Sequence, residues 1–305
     1  MKPRLRVLEL FSGIGGCAAA LGNEADVVCA VDIGQAAMDV YRANFAHPTR
    51  IAAIESLPVS QWRRWHADLW WMSPPCQPYS VRGLGRDLDD PRAVSLVAVL
   101  DRLREVQPAC LAMENVPGFS GSRAHSLITR TLRELGYDLR EYLLCPTQFG
   151  LPNRRRRFYL AASRGEPLAD LAEQRDLPRR HLADFLDDNV PVDFIVPPGL
   201  LEQYRDAVHI VDADDAHAET HCFTSAYGRS PVRSGSYLRN GSAVRRFTPA
   251  EILRLLGFPD AYCLPDEPPA RLWPLVGNSL SVVSVRAVLS TLPGLRHLGD
   301  RPASA

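Results

Sequence analysis

The first half of the chain alternates short apolar runs with stretches of helical periodicity, and that alternation confines it to few folds. Such a pattern is the mark of βαβ units, whose strands pair into a parallel sheet covered by helices. The runs predict strands at Arg6–Leu10, at Val27–Val31 with Asp32 at its end, near Ile51–Ile54, at Leu69–Met72 and at Cys110–Met113. A closing strand pair is expected at Tyr137–Leu144 and Arg157–Ala162. Helical patterns fall at Gly15–Leu21, through Val40 and Phe45, at Ala93–Glu105 and at His125–Leu135.

After Ala162 this order breaks. Residues 164–245 are irregular, with an acidic stretch at Asp212–Asp215 and then, from His221 to Phe247, five arginines and no acid. Helical periodicity returns at Thr248–Leu256 and Ser281–Leu289. The expected organisation is a first domain over 1–163, a small second domain over 164–245, a return to the first over 246–292, and a loose tail over 293–305.

Composition narrows the chemistry. The 305 residues carry zero net charge, so a polyanionic partner must be met by local patches and not by a global field. Seven widely scattered cysteines without C-x-x-C spacing supply neither a zinc site nor a disulfide framework, and no metal is expected. No run reaches the length of a membrane span, and Met1-Lys2-Pro3-Arg4 leads straight into a strand. A cytoplasmic monomer without a membrane partner is the expectation.

Four segments carry chemistry. Phe11-Ser12-Gly13-Ile14-Gly15-Gly16 joins the first strand to its helix, where glycines let the backbone approach a ligand closely. Asp32 ends the next strand, placed to bond a ribose hydroxyl pair. Loop and acid together favour a nucleoside-bearing cofactor over a plain tight turn. Ser73-Pro74-Pro75-Cys76-Gln77-Pro78 follows the buried run Leu69–Met72 and sets one cysteine on a stiff turn at a strand's carboxyl end. A thiolate there could act as a nucleophile; taken alone, the cysteine reads equally as a buried thiol. Glu114-Asn115-Val116-Pro117 again follows an apolar strand, and its carboxylate suits either acid–base work or a turn. In Asn153-Arg154-Arg155-Arg156-Arg157 alternate residues share a face, so Arg155 and Arg157 point one way, unless the run is simply a solvated basic stretch.

In this order these segments resemble the cytosine-5 methyltransferase family, over about residues 5–163 and 245–290. Gly277-Asn278-Ser279 matches a late motif whose helix returns to the cofactor site. The resemblance implies an α/β fold: a Rossmann-like, S-adenosylmethionine-dependent methyltransferase core with a mostly parallel twisted sheet, and a small target-recognition domain. It implies Cys76 as the nucleophile on cytosine carbon 6, Glu114 on ring N3, Arg155 on O2 and Arg157 as a brace. S-adenosylmethionine would be held by Phe11, Ser12, Gly13, Gly15, Gly16, Asp32, Ile54, Pro75, Asn278 and Ser279. Gln77, Ser80, Asn115, Cys222, Phe223, Thr224 and Tyr227 would meet the nucleic acid, with Gln77–Asp90 as a lid hinged at Gly83 and Gly85.

Two features depart from the family pattern: Asn153 stands where most DNA-modifying members have glutamine, and the usual acid near Ile54 and Glu55 is not evident. The short second domain, Cys222-Phe223-Thr224, Tyr227 and the run from Phe247 to Pro259 are similar to the branch that methylates the anticodon loop of aspartate tRNA. In that branch the counterpart of Cys222 assists the active site; the bland reading of Cys222 is a buried small side chain. A tRNA loop presents bases already partly unstacked, which lowers the cost of reaching carbon 5. DNA as the substrate, as in a restriction system, and an inactive nucleic-acid-binding module are the alternatives.

Overall fold

The computed structural model describes residues 4–79, 86–171 and 177–300. These divide into two compact units, one of residues 4–144, 156–171 and 284–300, the other of residues 145–155 and 177–283.

The first unit is built on a seven-stranded sheet. In chain order its elements are β1 (Leu5–Leu10), α1 (Gly16–Leu21), β2 (Ala25–Asp32), α2 (Gln35–Asn44), β3 (Thr49–Ile51), α3 (Val59–Trp65), β4 (Leu69–Met72), α4 (Val94–Val106), β5 (Cys110–Asn115), α5 (Arg123–Glu134) and β6 (Asp138–Leu144). A two-residue strand of the second unit, β7 (Asn153–Arg154), precedes β8 (Arg157–Ser163), which returns to the sheet. Strand order is β3-β2-β1-β4-β5-β8-β6. All pairs are parallel except β5 with β8 and β8 with β6, so the expected closing pair is present, with β8 inserted between β5 and β6.

Residue type explains these places. Strand β4 is Leu-Trp-Trp-Met, buried throughout, as a central strand covered on both faces must be. Strand β6 carries Asp138, Arg140 and Glu141 and sits at the edge, where charge discourages pairing with another chain. Helix α3, which the sequence reading did not foresee, packs Trp62 against Trp70 of β4 with ring centroids 4.7 Å apart. The strand expected near Ile51–Ile54 ends at Ile51, and Ile54 begins a short 3-10 turn. One core cluster runs from Leu8 and Val31 through Trp70, Leu100 and Met113 to Phe158 and Leu160.

Strand order reverses between β1 and β4, and in open α/β sheets the crevice at such a switch point receives ligands. The loops after β1, β2, β4 and β5 all leave from carboxyl ends of parallel strands, and they contain the glycine loop, Asp32, Cys76 and the residues after Asn115.

The second unit contains α6 (Pro198–Gln203), β9 (His209–Asp212), β10 (Thr220–His221), β11 (Ser236–Asn240), β12 (Ala243–Arg246), α7 (Pro249–Leu255) and α8 (Pro269–Asn278). Strands β9, β11 and β12 form a small sheet, and β10 pairs with β7. Thr248 and Glu251 form a reciprocal cap on α7, and Glu251 also holds Arg245 at 2.7 and 2.8 Å. Helix α9 (Val282–Leu289) follows, and the first unit resumes at Ser284.

Two boundaries differ from expectation. Residues 246–283 group with the second unit, because Phe247, Tyr227 and Trp273 share a buried aromatic cluster there. Residues 293–299 are not loose: Leu295 and Leu298 are buried. The stretch Pro269–Leu289 is long and apolar enough by length and composition to cross a membrane. It is two helices, α8 and α9, and 67% of its most apolar window is buried inside the protein, as in a core segment.

Candidate active site

Strand β1 ends in a strained turn. Phe11, a non-glycine residue, has φ 54°, a left-handed conformation that costs of the order of 1–3 kcal/mol and clusters at functional sites. Gly13 and Gly15 follow at φ 53° and 87°. Asp32 pins this loop: its Oδ2 accepts the Gly13 N–H at 2.8 Å and its Oδ1 the Gly34 N–H at 2.7 Å. Each carboxylate oxygen keeps a further lone pair for a hydroxyl.

Next to Asp32, Ile33 is 73% exposed, a large apolar side chain at the carboxyl end of β2. In the sequence it is a single isoleucine in a polar loop, which carries no pattern. Beside a hydroxyl-binding acid it offers a flat base an apolar face. Loop, acid and apolar side chain fit a nucleoside-bearing cofactor. Ser12 and Gly16 are buried in the turn, and Ile54 is buried in the core cluster, so its side chain acts as packing beneath the site.

Cys76 is half-buried on the turn after β4. Its carbonyl accepts the Tyr79 N–H at 3.0 Å, closing a 3-10 turn over Gln77–Tyr79. The preceding carbonyl of Pro74 accepts from Asn115 Nδ2 at 3.2 Å. Asn115 Oδ1 in turn accepts the Val116 N–H at 2.9 Å. Asn115, expected to touch substrate, is buried and instead ties the cysteine turn to the end of β5. Pro75 is half-buried and Gln77 exposed beside Cys76. Ser80, Gly83 and Gly85 lie outside the described residues.

A cation also lies within electrostatic reach of the cysteine. Asp90 grips the Arg92 guanidinium at 2.8 and 2.7 Å. These bonds, and in lesser measure the Cys76 sulfur, hold the Arg92 pKa above its ordinary value. A positive group beside a cysteine stabilises the thiolate form that attacks.

Glu114 and Arg157 form the acid half. Strands β5 and β8 pair Glu114 with Tyr159 and Asn115 with Phe158, so antiparallel β8 brings Arg157 to the same end as the acid. Arg157 Nε lies 3.2 Å from Glu114 Oε1, and both side chains are largely buried. The two arginines, expected to share a face, fall in different units. Arg155 belongs to the second unit, where its guanidinium donates to the carbonyls of Phe223 (2.9 Å), Gly277 (3.2 Å) and Ser279. Arg155 therefore braces that unit, and Arg157 is the cation beside the acid.

The other expected contacts divide in the same way. Cys222 is half-buried, with its sulfur 3.4 Å from Arg155 Nη1. Phe223 and Tyr227, each 1% exposed, are core and not substrate contacts. The Tyr227 hydroxyl donates to the Ser236 carbonyl and accepts the Phe247 N–H. Thr224 is half-buried, and its carbonyl lies 2.3 Å from where a Cβ on Gly277 would stand, so only glycine fits there. Asn278 is exposed at the end of α8, and Ser279 Oγ is buried with no hydrogen-bond partner among the described residues. Cys76, Glu114, Arg157 and the cofactor loop thus belong to the first unit; Arg155, Cys222, Phe223, Thr224, Tyr227, Asn278 and Ser279 belong to the second.

Comparison with known proteins bears on this arrangement. The family model described as C-5 cytosine-specific DNA methylase matches residues 5–193. The tRNA (cytosine(38)-C(5))-methyltransferase of Schizosaccharomyces pombe is 32% identical over 322 aligned residues, covering 95% of this chain and 97% of that protein. Its Bos taurus counterpart is 30% identical over 392, covering 96% of this chain and 100% of that protein. The crystal structure of S. pombe Dnmt2 methyltransferase superposes with a TM-score of 0.84 at 30% identity, over 94% of this chain and 98% of that one.

Proposed function

The chain belongs to the C-5 cytosine-specific DNA methylase family, and from that premise we propose that it methylates carbon 5 of a cytosine in tRNA, with S-adenosylmethionine as the methyl donor. The observation that carries the chemistry is the Glu114–Arg157 pair at 3.2 Å at the end of β5, joined through neighbouring Asn115 to the turn that presents Cys76. The full-length match to relatives named for cytosine 38 of tRNA supports RNA over DNA.

The residues divide the work. Cys76 Sγ adds to carbon 6 of the ring, which moves electron density to carbon 5. Glu114 holds ring N3 and stabilises its protonated form, and Arg157 meets the charge that builds on O2. Phe11, Gly13, Gly15 and Asp32, with exposed Ile33 beside them, would hold S-adenosylmethionine, which would supply an electrophilic methyl group to carbon 5. Loss of the carbon-5 proton then expels Cys76 and restores the double bond. Asn115 keeps the nucleophile's turn in register with the acid throughout.

The test is transfer of labelled methyl groups to total tRNA and, in parallel, to duplex DNA, with wild type and Cys76→Ala. Label in tRNA that the variant loses supports the proposal. Label confined to DNA overturns the RNA assignment.

A further inference from the structure

A buried acid beneath the glycine loop has no part in the chemistry above. Glu9, on β1, is fully buried, and its Oε1 lies 3.4 Å from the Ala18 amide in the first turn of α1. Its Oε2 lies 3.0 Å from the hydroxyl of Tyr41, which is itself 3.0 Å from His47 Nδ1. The chain runs from a carboxyl without solvent access to a half-exposed imidazole.

Tyr41 also touches the loop with its ring. A Cβ on Gly15 would lie 3.0 Å from the Tyr41 ring and 2.5 Å from that of Phe45. Phe45 stacks on His47 with centroids 5.4 Å apart and planes within 8°. One side of Gly15 is therefore walled by α2 and the residues just after it, and the hydroxyl of that wall is bonded at both ends.

We propose that Tyr41 is a positioning residue for the cofactor loop, fixed by hydrogen bonds to Glu9 and His47 so that its ring holds Gly15 in the conformation that receives the donor. The inference rests on the proposed function, since it assigns the loop to S-adenosylmethionine. A phenol has a single proton and cannot donate to both neighbours. Tyr41 donates that proton to Glu9 Oε2, and burial, which pushes the Glu9 carboxyl up to about 8, leaves this acceptor largely uncharged near neutrality. Burial lowers His47, and the neutral ring with its proton on Nδ1 donates to the Tyr41 oxygen. The protons then run in one direction, from His47 through Tyr41 to Glu9. Each bond has a donor and an acceptor without a buried charge.

The test is calorimetric binding of S-adenosylhomocysteine, with KM for S-adenosylmethionine and kcat measured alongside. Tyr41→Phe keeps the ring and removes the hydroxyl. It should weaken binding and raise KM about tenfold with kcat within about twofold, at unchanged stoichiometry. His47→Ala, at the half-exposed end, should give a smaller shift of the same kind. Glu9→Gln, whose amide oxygen still accepts from Tyr41, should retain wild-type affinity, and Glu9→Ala should lose it. A Tyr41→Phe protein that melts lower yet binds with wild-type affinity makes the hydroxyl a purely structural group and overturns the inference, as does Glu9→Gln binding as poorly as Glu9→Ala. If the wild type binds no S-adenosylhomocysteine, the proposed function falls, and the inference falls with it.

Discussion

Replacing Asn115 with alanine separates a positioning role from direct substrate contact. Asn115 is buried, and its amide serves two backbone groups, donating to the Pro74 carbonyl at 3.2 Å and accepting from the Val116 N–H at 2.9 Å. A buried polar group that loses its partner costs about 1–3 kcal/mol. Pro74 is buried and Val116 half-buried, so the carbonyl takes the upper part of that range and the N–H the lower. The expected loss is about 2–4 kcal/mol of unfolding free energy. The lost bond to Pro74 also frees the turn carrying Cys76, and a shift of about 1 Å in a reacting group costs about 100-fold in rate. Denaturant unfolding and steady-state methyl transfer to tRNA should therefore show both the destabilisation and a kcat about 100-fold lower, with KM for RNA within about threefold. Asn115→Asp, which keeps the acceptor and loses the donor, should keep part of the stability and little of the rate. A variant of unchanged stability whose only defect is a raised KM for RNA would refute the argument and restore Asn115 as a substrate contact.

Three further outcomes follow from the geometry. Arg157→Ala should lower kcat about 10²–10³-fold and, by leaving largely buried Glu114 without its cation, also lower stability, whereas Arg155→Ala should chiefly destabilise the second unit with the smaller loss of kcat, as melting and kinetics on the same preparations would separate. Glu251→Ala leaves Arg245 as a buried charge without its partner and should cost about 3–5 kcal/mol in denaturant unfolding. His209 and His221 stack at 3.6 Å, and burial lowers both from 6.5, with further lowering from the His221 ring on His209 and from Arg154 on both. The folded state thus binds fewer protons than the unfolded, so stability is full above the ordinary histidine value and falls as pH drops below 6.5 through the folded values. Comparing denaturation midpoints at neutral and mildly acidic pH should show that loss in wild type and a smaller one in His221→Phe.

The sheet and the nucleophile's half of the site were legible because their signals are local. An apolar run followed by glycines or by Pro-Pro-Cys states both the strand and the turn that ends it, and Asp32 sits where the second strand stops. Signals that depend on distant partners were misread. Phe223 and Tyr227 read as nucleic-acid contacts through the resemblance to the tRNA branch, yet their rings pack with Phe247 and Trp273, more than 20 residues further along the chain. Arg155 and Arg157 are alike in sequence, and only the β5–β8 register assigns one to the acid and leaves the other to the second unit. Ile33 carried no pattern, and its meaning lies in its exposure beside Asp32.

The insertion of β8 between β5 and β6 sets the order in which the protein can assemble. Strand β6 is synthesised before β8, yet among the described residues its neighbour in the sheet is β8 alone, so it waits unpaired until the later strand arrives. The same arrival delivers Arg157 to Glu114, because Arg157 is the first residue of β8. Closing the sheet edge and completing the acid–arginine pair are thus one event. A chain stalled before that step exposes a strand edge and lacks the cation beside its acid.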